Sequence, residues 1–275
     1  MENIVEKTTD TENTIDKKLY HSYLDILKNY NEDLFNKKQE SLEYSNLSGL
    51  FVTTSPAQWE QGKRILVVGR ETRGWNVVNE NKPYTDLQSY IKEAMEKQKK
   101  FLLKYIEKKK DPGFTFYNFL RDLGSHFGDG NIGWANLFCL DWKGSRPNPN
   151  STPNYETIKE LSGHLLKAAI QYMEPDIIIF ANGASSANVR REFFPLSGET
   201  AVCSSPWVNY LDQKIEKIEL ESFVLYGKIK CYRINHPANR AKKSSKSEDV
   251  KAFLSSQQAR KYLIDLIKKD IQDRE

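Results

Sequence analysis

Cysteine is scarce in this sequence: Cys139, Cys203 and Cys231 are the only three in 275 residues. An odd number without close spacing argues against a disulfide framework and against a zinc site. Three thiolates are also too few for an all-cysteine iron–sulfur cluster, which takes four. Long apolar runs are missing too, and none approaches the roughly 20 residues of a membrane span. The opening stretch MENIVEKTTDTENTIDKK is polar and lacks the apolar core of a signal peptide. No internal repeat, P-loop or GxGxxG signature occurs. These absences lead to the expectation of a soluble, cytoplasmic monomer with no membrane, metal, cluster or cofactor partner.

What is present is length, moderate basicity and alternation. The length allows one large domain with a real core, or two small ones. The net charge of +4 does not by itself identify a nucleic-acid binder. Its distribution is uneven: KQKKFLLKYIEKKK (97–110) and RAKKSSK (240–246) are Lys-rich. Four short apolar runs, KRILVVG (63–69), WANLFCL (134–140), DIIIFANG (176–183) and KIKCYRIN (228–235), read as strands buried on both faces. KIELESFVLYG (217–227) pairs with the last of them as a hairpin joined at Gly227.

Helical patterns separate the runs. Residues 15–45 carry a rough apolar stripe of Leu19, Tyr23, Leu24, Ile26, Leu27 and Leu34. Further helices are expected at 86–110, 116–127, 154–173 with Asn154 as its cap, 184–194 and 247–272. Such alternation predicts an α/β fold, with three α/β/α layers around a central four-stranded, mainly parallel sheet and an N-terminal helical extension. The expected organisation is a disordered tail at 1–14 and one α/β domain at 15–275. That domain includes the extension at 15–50 and a helical insertion at 76–112.

In a parallel sheet, ligands bind beyond the carboxyl ends of the strands. The first strand ends in Gly69 and runs into Arg70, Glu71 and Arg73. Charges at that place line a crevice rather than a core. The second carries Asn136. The third ends in NGASSA, where Ser185 and Ser186 open a helix and could hold phosphate. The fourth ends in NHPANRAKK, with His236 before Pro237. Each feature has an ordinary reading as a solvated loop residue, a cap or a structural histidine. Their arrival at one set of strand ends is what joins them.

The order of these elements, and the residues at their ends, resembles the uracil-DNA glycosylase superfamily over residues 60–245. The resemblance implies a DNA glycosylase that flips a base out of DNA and hydrolyses its N-glycosidic bond. It implies that Glu71, two positions past Gly69, handles the attacking water, and that His236, in His236-Pro237-Ala238, serves the departing base. Phe116 in GFTFYNFLRDL, or alternatively Phe114, would stack on the base, and Asn136 would read its edge beside Arg70 and Arg73. Ser185, Ser186, Asn239, Arg240, Lys242 and Lys243 would contact DNA.

Three departures bear on specificity. Ala238 replaces a usual serine, and Glu71 stands where Asp, Asn or Ala is usual. Arg73 replaces the tyrosine that excludes 5-methyl groups in the uracil-specific branch. The expected substrate is therefore uracil or a bulky 5-substituted pyrimidine, the latter favoured, which points to bacterial defence against modified viral DNA. A catalytically inactive DNA-binding module of the same fold and a small-molecule nucleotide hydrolase are the alternatives. The 76–112 insertion is expected to be a lid, an added DNA-binding helix or a surface insertion.

Overall fold

The computed structural model describes residues 14–36, 44–59, 61–79, 81–108, 112, 115–209, 220–238 and 256–272. The expected tail at 1–14 lies outside them apart from Thr14, where the first helix begins. In chain order the elements are α1 (Thr14–Leu27), β1 (Ile65–Gly69), α2 (Leu87–Ile106), α3 (Thr115–Phe127), β2 (Ile132–Asn136) and α4 (Tyr155–Met173). Then come β3 (Ile177–Phe180), α5 (Ala187–Phe193), β4 (Cys203–Asn209), β5 (Leu220–Leu225), β6 (Ile229–Ile234) and α6 (Ser256–Gln272).

The sheet is six-stranded and mixed, in the order β2-β1-β3-β6-β5-β4. This corrects the expected four strands. The four anticipated ones do form a parallel set, but β5 and β4 extend it antiparallel. β5 joins β6 through the three residues Tyr226, Gly227 and Lys228; Tyr226 and Gly227 are at positive φ (51° and 68°), and Lys228 N–H donates to Leu225 O at 3.2 Å to close the turn. β4 was not anticipated. Its CSSPWVN carries Pro206, which cannot donate to a ladder and so reads as loop. The edge position tolerates it, and pairing with β5 shifts register between Ser204 and Val208.

β1 and β3 are buried along their whole length, as their β-branched runs predict. Successive residues of β2 show which helices cover which face. Trp134 packs on Phe101 of α2 and Tyr117 of α3. A side chain on the neighbouring Gly133 would instead meet Met173 of α4. Because strand side chains alternate, α2 and α3 lie on one face and α4 on the other. Tyr232 of β6 donates its hydroxyl to Asp270 of α6, and Gly163 of α4 abuts Phe193 of α5. These contacts complete three α/β/α layers. The chain leaves β1 for β2 on one side and later returns to β3 on the other, so β1 is the topological switch point.

Several boundaries differ from expectation. The first helix stops at Leu27 rather than running to 45; Asn31 then accepts a hydrogen bond from the Asp33 N–H and starts a short 3₁₀ turn instead. Residues 47–55 are extended and buried, with Phe51 N–H donating to Cys139 O (2.8 Å) and Ser48 N–H to Asp141 O (2.9 Å). α1 touches both α4 and α2, and so wraps the β2 edge of the sheet. Asn154 precedes α4 in a left-handed conformation (φ 55°), and its side chain makes no capping bond. Residues 247–255 lie outside the described residues. The three cysteines are free and buried. No helix among the described residues is long and apolar enough to cross a membrane.

The extension is part of the core. Tyr23 is fully buried and donates to the Thr53 carbonyl at 2.9 Å. Tyr23→Phe leaves that buried carbonyl without its partner and should cost about 1–3 kcal/mol. Urea denaturation should show a lower midpoint with an unchanged slope; an unchanged midpoint would make α1 a peripheral addition.

Candidate functional site

β1 ends at a residue with no side chain, and this opens the crevice. A Cβ on Gly69 would stand 2.5 Å from Asn136 Oδ1 and 3.1 Å from Phe116 Cζ. Gly69 and Asn136 are register partners in adjacent strands. Beyond the strand, Leu137 and Phe138 donate to the carbonyls of Gly69 and Arg70 (3.0 and 2.9 Å), so the charged turn still follows β2. Its far end is tied to Asp141, whose carboxylate accepts from Gly74 N–H at 2.9 Å and from Gly144 N–H at 2.8 Å. Gly74 takes a left-handed conformation (φ 67°). Burial raises the Asp141 pKa, and the two backbone donors oppose that rise.

The cleft so formed holds about 400 Å³, within the usual range of small-ligand pockets, roughly 300–1,000 Å³. Arg70, Glu71, Arg73, Phe116, Asn136 and His236, anticipated from four separate segments, all line it, together with Ala238.

Glu71 is not free. Arg70 Nε donates to its Oε2 at 2.5 Å and Nη2 to its Oε1 at 3.0 Å, a two-pronged pair. The Glu71 side chain is only 3% exposed. The partnership raises the pKa of the Arg70 guanidinium. Arg73 is exposed at the mouth.

His236 is held in one tautomer. Ala238 N–H donates to its Nδ1 at 3.2 Å, so the neutral ring carries its proton on Nε2. Burial, then the nearby Arg70 and Arg73, push its pKa down to about 4 against the pull of Glu71. The Phe116 ring lies nearly parallel to the imidazole, at 20° and 6.3 Å between centroids.

Asn136 is 6% exposed. Its Oδ1 accepts from the Trp134 indole N–H at 3.0 Å, while its Nδ2 is buried without a partner. An unsatisfied buried donor costs about 1–3 kcal/mol, which an acceptor on a ligand would offset.

An aromatic wall was missed in the sequence. Phe101 and Tyr105 of α2 line the cleft with Tyr117 and Trp134. Tyr105 packs on Phe101 at 4.3 Å and on Tyr117 at 4.6 Å. The 76–112 insertion therefore supplies part of the pocket wall. The available signal was the i, i+4 spacing of Phe101 and Tyr105 inside the Lys-rich run. Of that run's lysines, Lys97 sits over the Trp75 ring, Lys99 pairs with Asp16 and Lys100 with Glu96.

The serine pair does not join the cleft. Ser186 is completely buried and cannot touch a phosphate, which corrects its assignment to DNA contact. Ser185 is exposed, and its carbonyl accepts from Arg146 Nη1 at 2.9 Å. The helix that follows has only seven residues, so it makes a weak anion site. Asn239, Arg240, Lys242, Lys243 and the alternative stacking residue Phe114 lie outside the described residues. The sequence matches no family model and no curated protein.

The ring proton of His236 makes a direct test. Its NMR titration should show a midpoint near pH 4, and Arg73→Ala should move that midpoint upward. Because the unfolded imidazole titrates near 6.5, the unfolded chain binds more protons between these values, and stability should fall as pH drops from about 6.5 to about 4. A midpoint at the unperturbed value would mean that the imidazole is solvated.

Proposed function

We propose that the cleft hydrolyses the N-glycosidic bond of a flipped-out, non-standard pyrimidine in DNA: uracil or, preferentially, a bulky 5-substituted base. The resemblance to the uracil-DNA glycosylase superfamily is part of this reading. The observation that carries it is convergence: a carboxylate, a neutral imidazole donor, a ring suited to stacking and an amide meet in one pocket at the switch point of the sheet.

Breaking the C1′–N bond leaves positive charge on the sugar and negative charge on the base. In this proposal the Glu71 carboxylate faces the sugar and orients water, as carboxylates do in glycoside hydrolysis. Water supplies the hydroxyl to C1′ and, through Glu71 and solvent, the proton to the base. The fixed Nε2–H of His236 donates to the base carbonyl as charge develops. A neutral donor suits this step, since its hydrogen bond strengthens with no prior proton transfer. Phe116 stacks on the base and offsets part of the few kcal/mol needed for flipping. Arg73 stands in place of the tyrosine that excludes 5-methyl groups in the uracil-specific branch, and the preference for a 5-substituted base rests on that exchange. Preference for bulky bases would fit defence against modified viral DNA.

A second reading, a base-binding module without chemistry, draws on the bidentate Arg70–Glu71 pair, which occupies both carboxylate oxygens. A nucleotide hydrolase using the serine pair has little support, given the burial of Ser186.

One assay separates the readings. The protein is incubated with DNAs carrying uracil, hypoxanthine or hypermodified cytosines, and with free nucleotides, and alkali-sensitive cuts and released base are scored. Excision from DNA is expected, and Glu71→Gln should reduce it by roughly 10²–10⁴-fold while DNA binding persists. Binding without abasic product in wild type would favour the inert module. Phe116→Ala should slow removal of a paired base more than of a mispaired one; equal slowing would deny it a stacking role.

A further inference from the structure

We propose that the carboxyl half of α2 is a DNA-backbone contact of the cleft: Lys104 and Lys108 take phosphates beside the flipped nucleotide, in place of the serine pair after β3. The inference rests on the reading of the cleft as a base site and adds to it the surface that seats the rest of the strand.

A base enters a pocket only while the phosphates beside it are held at the mouth. The resemblance assigned that hold to Ser185 and Ser186, yet Ser186 is completely buried. α2 offers cations instead. Its residues Phe101 and Tyr105 line the cleft. At roughly 3.6 residues per turn, Lys104 and Lys108 fall on the same side of the helix, within about 60° of Phe101. Lys108 Nζ lies 5.6 Å from the centroid of the Tyr105 ring, which puts an ammonium at the rim. Arg73, exposed at the mouth, adds another positive group.

The helix divides its lysines by task. Residues 97–108 hold five lysines and a single acid, Glu107. Lys97 donates to the Asn76 carbonyl and covers Trp75, Lys99 pairs with Asp16, and Lys100 pairs with Glu96. Lys92, on the side opposite Phe101, lies over Tyr20 of α1 at 5.6 Å. Lys104 and Lys108 are exposed and, among the described residues, pair with no carboxylate. The two lysines left without an acid are thus the two beside the cleft aromatics. A phosphodiester strand is the complementary partner, since each phosphate neutralised there releases condensed counterions.

The test uses the full chain and a duplex holding a tetrahydrofuran abasic analogue, which has no glycosidic bond to break, so binding is read without catalysis. Affinity is followed by fluorescence anisotropy over a range of salt. Replacing Lys104 and Lys108 together by Gln should lower the slope of log affinity against log salt by about 1.8, since each phosphate contact contributes about 0.9. The wild-type advantage over that variant should accordingly shrink roughly tenfold between about 50 and about 200 mM salt. Lys92→Gln removes the same kind of charge from the opposite side and should leave the slope unchanged. The charge-keeping double variant Lys104→Arg, Lys108→Arg should retain it too, which separates phosphate contact from any effect on the helix end.

A slope unchanged in the Gln double variant, or lowered as much by Lys92→Gln or by the Arg pair, overturns the surface even if excision is robust. The expected slopes, with no abasic product from uracil or modified DNAs, uphold the surface and remove the glycosylase reading. No binding to DNA, whether or not vesicles containing phosphatidylserine are bound, overturns both.

Discussion

The cleft depends on the absence of a side chain at the carboxyl end of β1. Gly69 lets the Asn136 amide and the Phe116 ring approach a strand that is otherwise buried on every side. Parallel pairing brings Gly69 level with Asn136, and pairing with β3 and β6 brings the start of the His236 segment to the same end of the sheet. A side chain at this one position would fill the space in which the chemistry is proposed to occur. The buried sheet holds these ends in register, so the site inherits its precision from the core.

Electrostatics then divides the cleft. Arg70 occupies the Glu71 carboxylate and, with Arg73, lowers the proton affinity of His236. One side of the pocket thus carries a compensated acid and the other an uncharged imidazole with a single defined donor. Partly desolvated charges are costly unless paired, and adjacency in sequence makes Arg70 a partner that needs no long-range ordering. The arrangement favours a reaction in which charge appears during the step rather than before it.

The floor and the wall are built by different logic. The floor is polar, and there the Trp134–Asn136 bond holds the amide oxygen while Nδ2 stays unpaired. The wall is aromatic and comes largely from α2 and α3, with Phe101 and Tyr105 packed against Tyr117. A segment that looked like an insertion between β1 and α3 is therefore continuous with the pocket, and its lysines include Lys97 over the Trp75 ring and Lys99 paired with Asp16 of α1.

The sequence by itself determined the parallel strands, because β-branched runs such as ILVV and IIIF can be satisfied only by burial on both faces. It also determined which residues stand at strand ends, since strand periodicity and the glycine and His-Pro breaks locate those ends. Only the tertiary structure decided how those residues are used. The Arg70–Glu71 pair, the His236–Ala238 bond and the grip of Trp134 on Asn136 each join residues one or two apart, yet spacing does not say which way a side chain turns, and the burial of Ser186 depends on what packs over it. The edge strand β4 was illegible for a related reason. Its proline forbids a regular ladder, and only a neighbour such as β5 could make that segment a strand at all.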